Sequence, residues 1–532
     1  MSEKAKKSSG HWADHAAMVL SQKNQNKEKY VCAAGISPSG MVHIGNFREV
    51  ITVDLVVRAL KDQGKQTRFI YSWDDFDAFR KVPKNLPNQE MLEKNLRKPL
   101  ADVPDPYEAS KSYADHFEKQ FEGELAQLGI HPEFIYQNEA YRSGKYKEGI
   151  KTALKHNAEI VEILNQARTS PLPENWTSLS VFCEDCGRDT TKVISTDPPR
   201  YTCKCSPEQE RDISLDAPTN AKLLWRVDWP MRWSHEGVDF EPGGKDHSST
   251  GGSFDTGKVI VKKVWERNAP YYVQYDFVLA KGLGAKFSSS SGNLLTVGEA
   301  LKIYEPQILR WIFASRKPNM DFSISFDLDV LKAYDDFDRT ERIAFGTEEA
   351  DEKKSQYEKR VYELSRIPAR PSGEYGEPPA QFPFRHLCNV LQIHEGDIAK
   401  ARTHYQKFMN SAEDESRFND RAERAWYWVQ NHAPEEFRFS LRNADNPPEK
   451  TKFPDAIRKV FELLEQRVEL DVNEDDLAHE IFTVMKAHEL NAKEFFAEFY
   501  QILIGKPQGP KLAPFLKSMG LKRAKDLIQK AL

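Results

Sequence analysis

The 532-residue chain has few cysteines, no long apolar run and no excess of positive charge. Six cysteines in a chain of this length do not suggest a fold held together by disulfides. No apolar run approaches the roughly 18 residues that a membrane-spanning helix needs, and the N-terminal segment lacks the apolar core of a secretory signal. We therefore expect a cytoplasmic protein. The net charge of −5 excludes a uniformly polycationic nucleic-acid binder but leaves room for a local basic surface.

The pattern of apolar residues divides the chain into an α/β part and a helical part. From about residue 27, short apolar strands such as RFIYSW and PEFIYQ alternate with helical patterns, which is typical of a Rossmann-like, doubly wound parallel sheet. A stretch rich in proline, tryptophan and cysteine at about 140–245 is interpreted as an insertion. We therefore expect an N-terminal lead-in (1–26), an α/β domain (27–345) and an all-α domain (346–532).

A glycine-rich turn joins the first predicted strand to the first predicted helix, in AAGISPSGMVHIGNFREV at 33–50. Backbone N–H groups at the start of a helix are suited to binding an anion. His43 and Asn46 lie at this start and could donate hydrogen bonds to a phosphate oxygen. Gly45 has no side chain, so a flat ring such as adenine could lie against its backbone. The alternative is a turn in which His43 and the glycines have only a structural role.

A second candidate phosphate-binding segment is the loop GLGAKFSSSSGN at 282–293. Lys286 and the run from Ser288 to Ser291 offer a positive charge and several hydroxyl donors to a polyphosphate. A flexible linker is the alternative, because loops rich in glycine and serine are common.

Four of the six cysteines form two close pairs, Cys183-x2-Cys186 and Cys203-x-Cys205. Their spacing predicts a structural zinc in a ribbon-like fold, although the second pair departs from the usual C-x2-C pattern. Unpaired thiols in a degenerate ribbon are the alternative. A catalytic zinc is not expected, because four cysteine ligands leave no open position on the metal.

Together the two loops resemble the signature motifs of the class I aminoacyl-tRNA synthetases. PSGMVHIGN is similar to the HIGH motif, with Asn46 at the second histidine. KFSSS is similar to the KMSKS motif, with Phe287 at the methionine and a serine at the second lysine. This pair of variants resembles the class I type of lysyl-tRNA synthetase, as do YSWDDFDAFRKVP, LWRVDWPMRW and EPGGKDH. The helical region resembles the anticodon-binding domain of glutamyl-type synthetases.

The resemblance implies a lysine–tRNA ligase that forms lysyl-adenylate from lysine and ATP, with Mg²⁺, and transfers lysine to the 3′-terminal adenosine of tRNA(Lys). The implied partners are tRNA(Lys), lysine and ATP, with no membrane, and a monomer is favoured. The residues implied for catalysis are His43, Asn46, Lys286, Ser288 and Ser289. Those implied for ATP binding are Pro38, Gly40, His43, Gly45, Asn46, Gly243, Gly244, Asp246 and Lys286.

A lysine substrate carries two cationic amino groups, so carboxylates near its pocket are expected. Asp74, Asp75 and Asp77 follow a predicted strand, at the edge where an open α/β sheet binds its ligands. Trp225 and Trp229 could add a cation–π contact of about 0.5–2 kcal/mol. Helix capping for one or two of the acids and core packing for at least one tryptophan are the alternatives. The residues implied for lysine binding are Gly35, Ser37, Asp74, Asp75, Asp77, Trp225, Trp229 and His247.

Three other functions compete with this interpretation. A glutamyl or arginyl synthetase would have the same motifs but would attach a different amino acid to tRNA. A small-molecule adenylyltransferase also has HIGH-like motifs, but it has no need of a long helical region after the lysine–serine loop. A non-enzymatic tRNA-binding paralogue is disfavoured by the presence of both His43 and Lys286.

Overall fold

The computed structural model describes residues 10–23, 27–205, 210–281, 295–467 and 473–532. The strands are β1 (Lys29–Ile36), β2 (Gln66–Trp73), β3 (Glu133–Tyr136), β4 (Leu179–Val181), β5 (Lys192–Asp197), β6 (Arg200–Lys204), β7 (Glu210–Ser214), β8 (Ala221–Leu223), β9 (Phe240–Gly244), β10 (Tyr271–Tyr275), β11 (Val278–Ala280) and β12 (Phe322–Ile324). The helices are α1 (Trp12–Lys23), α2 (Ile44–Asp62), α3 (Gln89–Lys94), α4 (Tyr113–Gln127), α5 (Gln137–Arg142), α6 (Lys147–Lys155), α7 (Asn157–Gln166), α8 (Trp225–Glu236), α9 (Ser253–Trp265), α10 (Val297–Leu301), α11 (Pro306–Ala314), α12 (Asp329–Phe345), α13 (Glu352–Ser365), α14 (Phe384–Ile393), α15 (Ile398–Thr403), α16 (Ala412–Asn431), α17 (Pro454–Glu465), α18 (Glu474–Ala487), α19 (Ala492–Ile504), α20 (Leu512–Met519) and α21 (Leu521–Ala531).

A five-stranded sheet in the order β10-β9-β1-β2-β3 forms the centre of the α/β part, and all of its strand pairs are parallel. The doubly wound parallel sheet predicted from the sequence is therefore confirmed. From β1 the chain first adds β2 and β3 on one side of the sheet, and later adds β9 and β10 on the other. The topological switch point therefore lies between β1 and β9. In open α/β sheets, ligands bind outside the carboxyl ends of the strands at this point.

The helix α2 is buried along most of its length, which explains its nearly continuous apolar sequence. Two of its three buried charged residues, Asp54 and Arg58, form an ion pair at 2.9 Å, and Asp54 also pairs with Arg310. A buried carboxylate needs such partners, because an unpaired charge in a core is costly. The helix is thereby fixed beside β1, and its N-terminus is held at the switch point.

The insertion predicted at about 140–245 contains two small antiparallel sheets. The strands β5, β6 and β7 form one sheet, and β4 pairs with β8 in the other. After β8 the chain enters α8, which returns it to the central sheet at β9.

The chain divides into two compact units. The first contains Met1–Leu301, Pro306–Ile324 and Thr340–Tyr375, and the second contains Lys302–Glu305, Ser325–Arg339 and Gly376–Leu532. The boundary expected at residue 345 falls within the 340–375 segment of the first unit. This segment contains Arg360 of α13, which pairs with Asp14 at 2.6 Å and with Asp62 at 2.7 Å. These ion pairs join α13 to α1 and to the end of α2.

The second unit is mainly helical, and α17 to α21 enclose one apolar core. Elsewhere in this unit, Arg421 of α16 is fully buried and pairs with Glu305 at 2.5 Å and with Asp338 at 2.9 Å. Among the described helices of the whole chain, none has both the length and the apolar character that crossing a membrane requires.

Candidate active site

The glycine-rich turn caps the N-terminus of α2 with its own side chains. His43 is the N-cap residue, and its Nδ1 accepts a hydrogen bond from the backbone N of Gly45 at 3.1 Å. The side-chain oxygen of Asn46 accepts one from the backbone N of His43 at 3.4 Å, so the two residues form a reciprocal capping box. Because Nδ1 is an acceptor, the proton of the neutral ring lies on Nε2. His43 can therefore cap the helix and still donate from Nε2.

Three glycines of the site occupy positions where a side chain would collide with a neighbour. A Cβ atom on Gly35 would lie 2.7 Å from the carbonyl oxygen of Ser72, and one on Gly243 would lie 2.2 Å from the hydroxyl of Tyr272. A Cβ atom on Gly45 would lie 2.9 Å from the ring of His43. Glycine at these positions lets the backbone at the switch point pack closely against its surroundings.

The lysine–serine loop lies outside the described residues, so Lys286, Ser288 and Ser289 have no described position. The chain that follows this loop returns directly to the histidine turn. The backbone N of Ile44 donates to the carbonyl of Leu295 at 2.8 Å, and His43 and Thr296 form an isolated β-bridge. Leu295 and Thr296 thus lie beside the histidine turn.

Three tryptophans at successive turns of α8 form one wall of a pocket at the switch point. The rings of Trp225 and Trp229 stack with centroids 5.1 Å apart and planes at 15°. Glu241 of β9 accepts hydrogen bonds from the indole nitrogens of Trp229 at 2.9 Å and of Trp233 at 2.6 Å. Both carboxylate oxygens of Glu241 therefore have donors. The core role that the sequence analysis left open for one tryptophan fits Trp233, which is buried against the sheet.

A second glutamate, Glu49, lines the same pocket on the side of α2. Its carboxylate accepts hydrogen bonds from the backbone N of Gly35 at 2.9 Å and from the hydroxyl of Tyr275 at 2.6 Å. The sequence analysis missed Glu49 and Glu241. Glu241 begins the EPGGKDH stretch, so it could have been noticed there, but nothing local marks Glu49.

Burial has the same effect on both glutamates. It raises the pKa of Glu49 to about 7, against the hydrogen bonds from Tyr275 and Gly35. It also raises the pKa of Glu241 to about 7, against the indole donor of Trp229. Neither carboxylate forms an ion pair with a basic side chain of the described residues. Each therefore has an unmet preference for a cation, and each side chain lines a pocket that Trp225 also borders.

Two of the three predicted aspartates lie near this pocket, but both already have basic partners. Asp74 accepts from Arg232 at 2.8 Å, and Arg232 also pairs with Asp228 at 3.2 Å. Asp77 pairs with Lys222 at 2.6 Å. Because basic side chains of the same chain already neutralise Asp74 and Asp77, these acids cannot be the main source of attraction for a cationic substrate.

Asp75, implied for lysine binding, does not line this pocket. Its side chain is buried, and Oδ1 accepts a hydrogen bond from the backbone N of Asn138 at 2.7 Å. Asp75 lies in a turn after the end of β2, in which the backbone N of Asp77 donates to the carbonyl of Asp74 at 3.1 Å. The carboxylate therefore bonds to the backbone at the start of α5 and does not face a ligand in this pocket.

The other implied residues lie around the same turn and strand ends. Ser37 donates to the carbonyl of Asp74 at 3.5 Å. His247 follows Gly243 and Gly244 in a short 3-10 helix with Asp246, and its ring centroid is 5.7 Å from that of Trp229. Pro38 and Gly40 belong to the turn before His43 and are both buried.

Three of the four paired cysteines converge, and the fourth does not. The sulfurs of Cys183, Cys186 and Cys205 lie within 4.8 Å of one another, a soft donor set that suits Zn²⁺. Burial opposes ionisation of Cys183, but backbone N–H groups of Cys186 and Asp185 lower its pKa. Cys203, implied as a ligand, instead packs in the apolar core. It shares the inward face of β6 with Tyr201, whereas Cys205 lies beyond the end of the strand.

A parallel doubly wound sheet with a capped histidine turn and a substrate pocket at its switch point defines a nucleotide-binding α/β protein. Within that class, residues 10–368 match the family model described as tRNA synthetases class I (K), and the chain belongs to this family. It is 45% identical over 527 residues to the lysine–tRNA ligase of Borreliella burgdorferi, covering 98% of this chain and 99% of that one.

More distant similarities extend over nearly the whole chain. The lysine–tRNA ligase of Pyrococcus horikoshii is 41% identical over 527 residues, covering 96% of this chain and 97% of that one. A crystal structure of a glutamate tRNA ligase from Elizabethkingia meningosepticum is 14% identical with a TM-score of 0.43, covering 95% of this chain and 99% of that one.

Proposed function

We propose that the chain is a lysine–tRNA ligase that activates lysine with ATP and transfers it to the 3′-terminal adenosine of tRNA(Lys). Relatives that carry this activity in their names are 41–45% identical to it over nearly the full length. The structural observation that carries the choice of lysine is the pair of pocket glutamates, Glu49 and Glu241, which form no ion pair among the described residues. A substrate with two ammonium groups would supply a cation to each of them.

The pocket would recognise lysine by charge and by shape. Glu49, next to the backbone of Gly35, would bind one ammonium group, and Glu241 would bind the other. The stacked indoles of Trp225 and Trp229 would cover the aliphatic chain and add a cation–π contact. Asp74 and Asp77 would neutralise Arg232 and Lys222, so that these two cations do not repel the substrate.

Activation consists of attack by the lysine carboxylate on the α-phosphate of ATP, with release of pyrophosphate. Negative charge on the phosphoryl oxygens would be stabilised by Nε2–H of His43 and by the N-terminus of α2. Lys286, Ser288 and Ser289 are proposed to bind the β- and γ-phosphates by their resemblance to the KMSKS motif. Pro38, Gly40, Gly45, Asn46, Gly243, Gly244 and Asp246 are proposed to contact the rest of the nucleotide, and Mg²⁺ would arrive with ATP as its counterion.

The remaining proposals concern the rest of the chain. The helical region at 346–532 is proposed to bind the anticodon of tRNA(Lys), by its resemblance to glutamyl-type synthetases. A structural zinc is proposed at Cys183, Cys186 and Cys205. We also propose that the protein acts in the cytoplasm as a monomer.

The decisive experiment is aminoacylation of total tRNA with each of twenty labelled amino acids in turn. Lysine alone should be attached, and periodate oxidation of the tRNA 3′ end should abolish attachment. Attachment of glutamate or arginine would contradict the assignment of the pocket. Adenylate formation without any transfer to tRNA would favour a small-molecule adenylyltransferase.

A further inference from the structure

A second cavity lies next to the lysine pocket and has no place in the activation of lysine described above. Its volume is about 390 Å³, within the range of small-ligand sites. Ser37 and Ser39 of the glycine-rich turn line one side, and Ser180 and Phe182 of the insertion line the other. We call it the Arg80 cavity, after the arginine at its wall. The Trp225 side chain borders both this cavity and the lysine pocket, so their contents would be neighbours.

The Arg80 cavity carries an excess of positive charge. Its two acids are neutralised, because Asp77 pairs with Lys222 at 2.6 Å and Asp189 pairs with Arg97 at 2.7 Å. Two further cations, Arg80 and Lys81, line the cavity and are exposed. Neither has a carboxylate within 4 Å among the described residues. The cavity therefore attracts an anion, whereas the lysine pocket beside it attracts a cation.

The same cavity offers apolar surface for a flat ring. The indole of Trp225 is 39% exposed, and Phe79 and Leu224 lie along the same wall. Aromatic faces of this kind bind the bases of single-stranded nucleic acids by stacking, while basic side chains bind the backbone phosphates. Two unpaired cations next to exposed indole thus match the chemistry of a nucleotide in a single strand.

We propose that the Arg80 cavity receives the 3′-terminal nucleotide of tRNA, with Arg80 and Lys81 binding its phosphodiester backbone. This inference rests on the proposed function and identifies where its second substrate is held. The terminal ribose would then lie beside Ser37, at the border with the lysine pocket. Its hydroxyl oxygen could attack the carboxyl carbon of the adenylate to form the ester bond. The bond between that carbon and the phosphate oxygen then breaks, and AMP leaves with the electron pair while its phosphate takes up the hydroxyl proton.

The test compares the double variant Arg80→Gln/Lys81→Gln with Lys84→Gln, which removes a charge from the same exposed loop outside the cavity. The probes are tRNA(Lys) and the same tRNA without its terminal adenosine, with dissociation constants measured from low to high salt. Wild type and Lys84→Gln should bind intact tRNA about tenfold more tightly than the shortened tRNA. The double variant should lose this difference. The slope of its log binding constant against log salt concentration should also become shallower by about 0.7 for each charge removed.

The KM for lysine and the KM for ATP should not change in the double variant, whereas the KM for intact tRNA should rise. Equal weakening of intact and shortened tRNA would overturn the proposal, because it would indicate a general electrostatic surface. A raised KM for ATP would also overturn it, since the cavity would then hold ATP. If wild type fails to charge any tRNA with lysine, the proposed function is at fault. Normal charging by the double variant, at an unchanged KM for tRNA, would refute the cavity assignment alone.

Discussion

At the scale of single residues, the charge of the lysine pocket comes from side chains that are distant in sequence. The acidic stretch after β2 looks like the natural site for a cationic substrate, yet Asp74 and Asp77 are paired with Arg232 and Lys222. Glu49 and Glu241 carry the uncompensated charge. They come together because Glu49 of α2 is hydrogen-bonded to Gly35 of β1, and β1 is the neighbour of β9 in the sheet. Local pattern reveals where acids are common, but the tertiary fold decides which of them are already neutralised.

Lysine binding should therefore strengthen as the pH rises to about 7. In the empty pocket, burial raises the pKa of Glu49 and of Glu241 to about 7, so both carboxyls hold protons in acid. The ammonium groups of lysine favour the ionised carboxylates, so binding expels protons. The dissociation constant should fall by up to about tenfold per pH unit for each proton released, and should level off above pH 7. Calorimetric titration in buffers of different ionisation enthalpy measures both the dissociation constant and the number of protons released.

Glu49→Gln is the matched variant for this prediction. A glutamine can still accept from the backbone N of Gly35 and can donate its amide to Tyr275, so the pocket should keep its shape. Losing one charge-assisted hydrogen bond should weaken lysine binding by about 10- to 100-fold and reduce the pH dependence. Glu162→Gln, at an exposed position, is the control. An unchanged affinity for lysine in Glu49→Gln would refute the assignment of this carboxylate.

His43 has two roles that substitutions can separate. Replacing it with alanine removes the cap of α2 and should destabilise the fold by about 1 kcal/mol, in addition to slowing adenylate formation. Asparagine is a strong N-cap residue, so His43→Asn should restore the stability. It should nevertheless form adenylate about 10²–10³-fold more slowly, because the donor at Nε2 is lost. Single-turnover kinetics and thermal unfolding of both variants test this, and a fast His43→Asn enzyme would mean that the histidine is only a cap.

At the scale of elements, periodicity predicted the central sheet and α2 well, since each is long and strongly patterned. The strand β1 and the turn to α2 lie where the apolar run and the glycines indicated. The cysteine ribbon was harder, because spacing alone cannot tell which side of a strand a residue faces. Cys203 faces the core in β6 while Cys205 lies past its end, and only the latter reaches Cys183 and Cys186.

The position of Cys203 leads to a clear test at the cysteine cluster. Purified protein should hold about one zinc per chain, and Cys186→Ser should lose it, because thiolate ligands bind zinc far better than a hydroxyl. Cys203→Ala should keep the metal, with a modest loss of stability from the cavity it leaves in the core. Elemental analysis of both variants decides the matter, and metal loss in Cys203→Ala as complete as in Cys186→Ser would show that all four cysteines are ligands.

The same cluster should affect tRNA charging more than lysine activation. Asp189 follows the Cys183–Cys186 turn, and its backbone N donates to the carbonyl of Arg97 at 2.9 Å. Asp189 also lines the Arg80 cavity, whereas no cysteine lines the lysine pocket. Loosening the turn should therefore disturb the cavity first, and Cys186→Ser should raise the KM for tRNA at an unchanged KM for lysine.

At the scale of the whole molecule, the α/β and helical patterns of the sequence change near residue 345, whereas the first compact unit extends to Tyr375. The composition of α13 is that of any charged helix, so nothing in it reveals that Arg360 bonds to α1 and α2. Arg58 and Arg310 also donate to backbone carbonyls just beyond α13 or at its end, at Arg366 and Leu364. Such long-range pairing is invisible to local pattern, because each partner is an ordinary surface-type residue by itself.

Two truncations should therefore behave differently. A chain ended after residue 345 lacks α13 and leaves Asp14 and Asp62 without Arg360, and Arg58 and Arg310 without their carbonyl partners. Arg58 and Arg310 keep Asp54, but the loss of the other partners leaves half-buried carboxylates and buried donors unsatisfied. This chain should therefore unfold at a lower temperature and aggregate more than a chain ended after residue 375. Both truncations remove the same part of the second unit, Gly376–Leu532, and they differ only in residues 346–375 of the first unit. Thermal unfolding and sedimentation measure the difference, with full-length Arg360→Met as a variant that removes the ion pairs and keeps the helix. Equal melting temperatures for the two truncations would show that α13 does not stabilise the first unit.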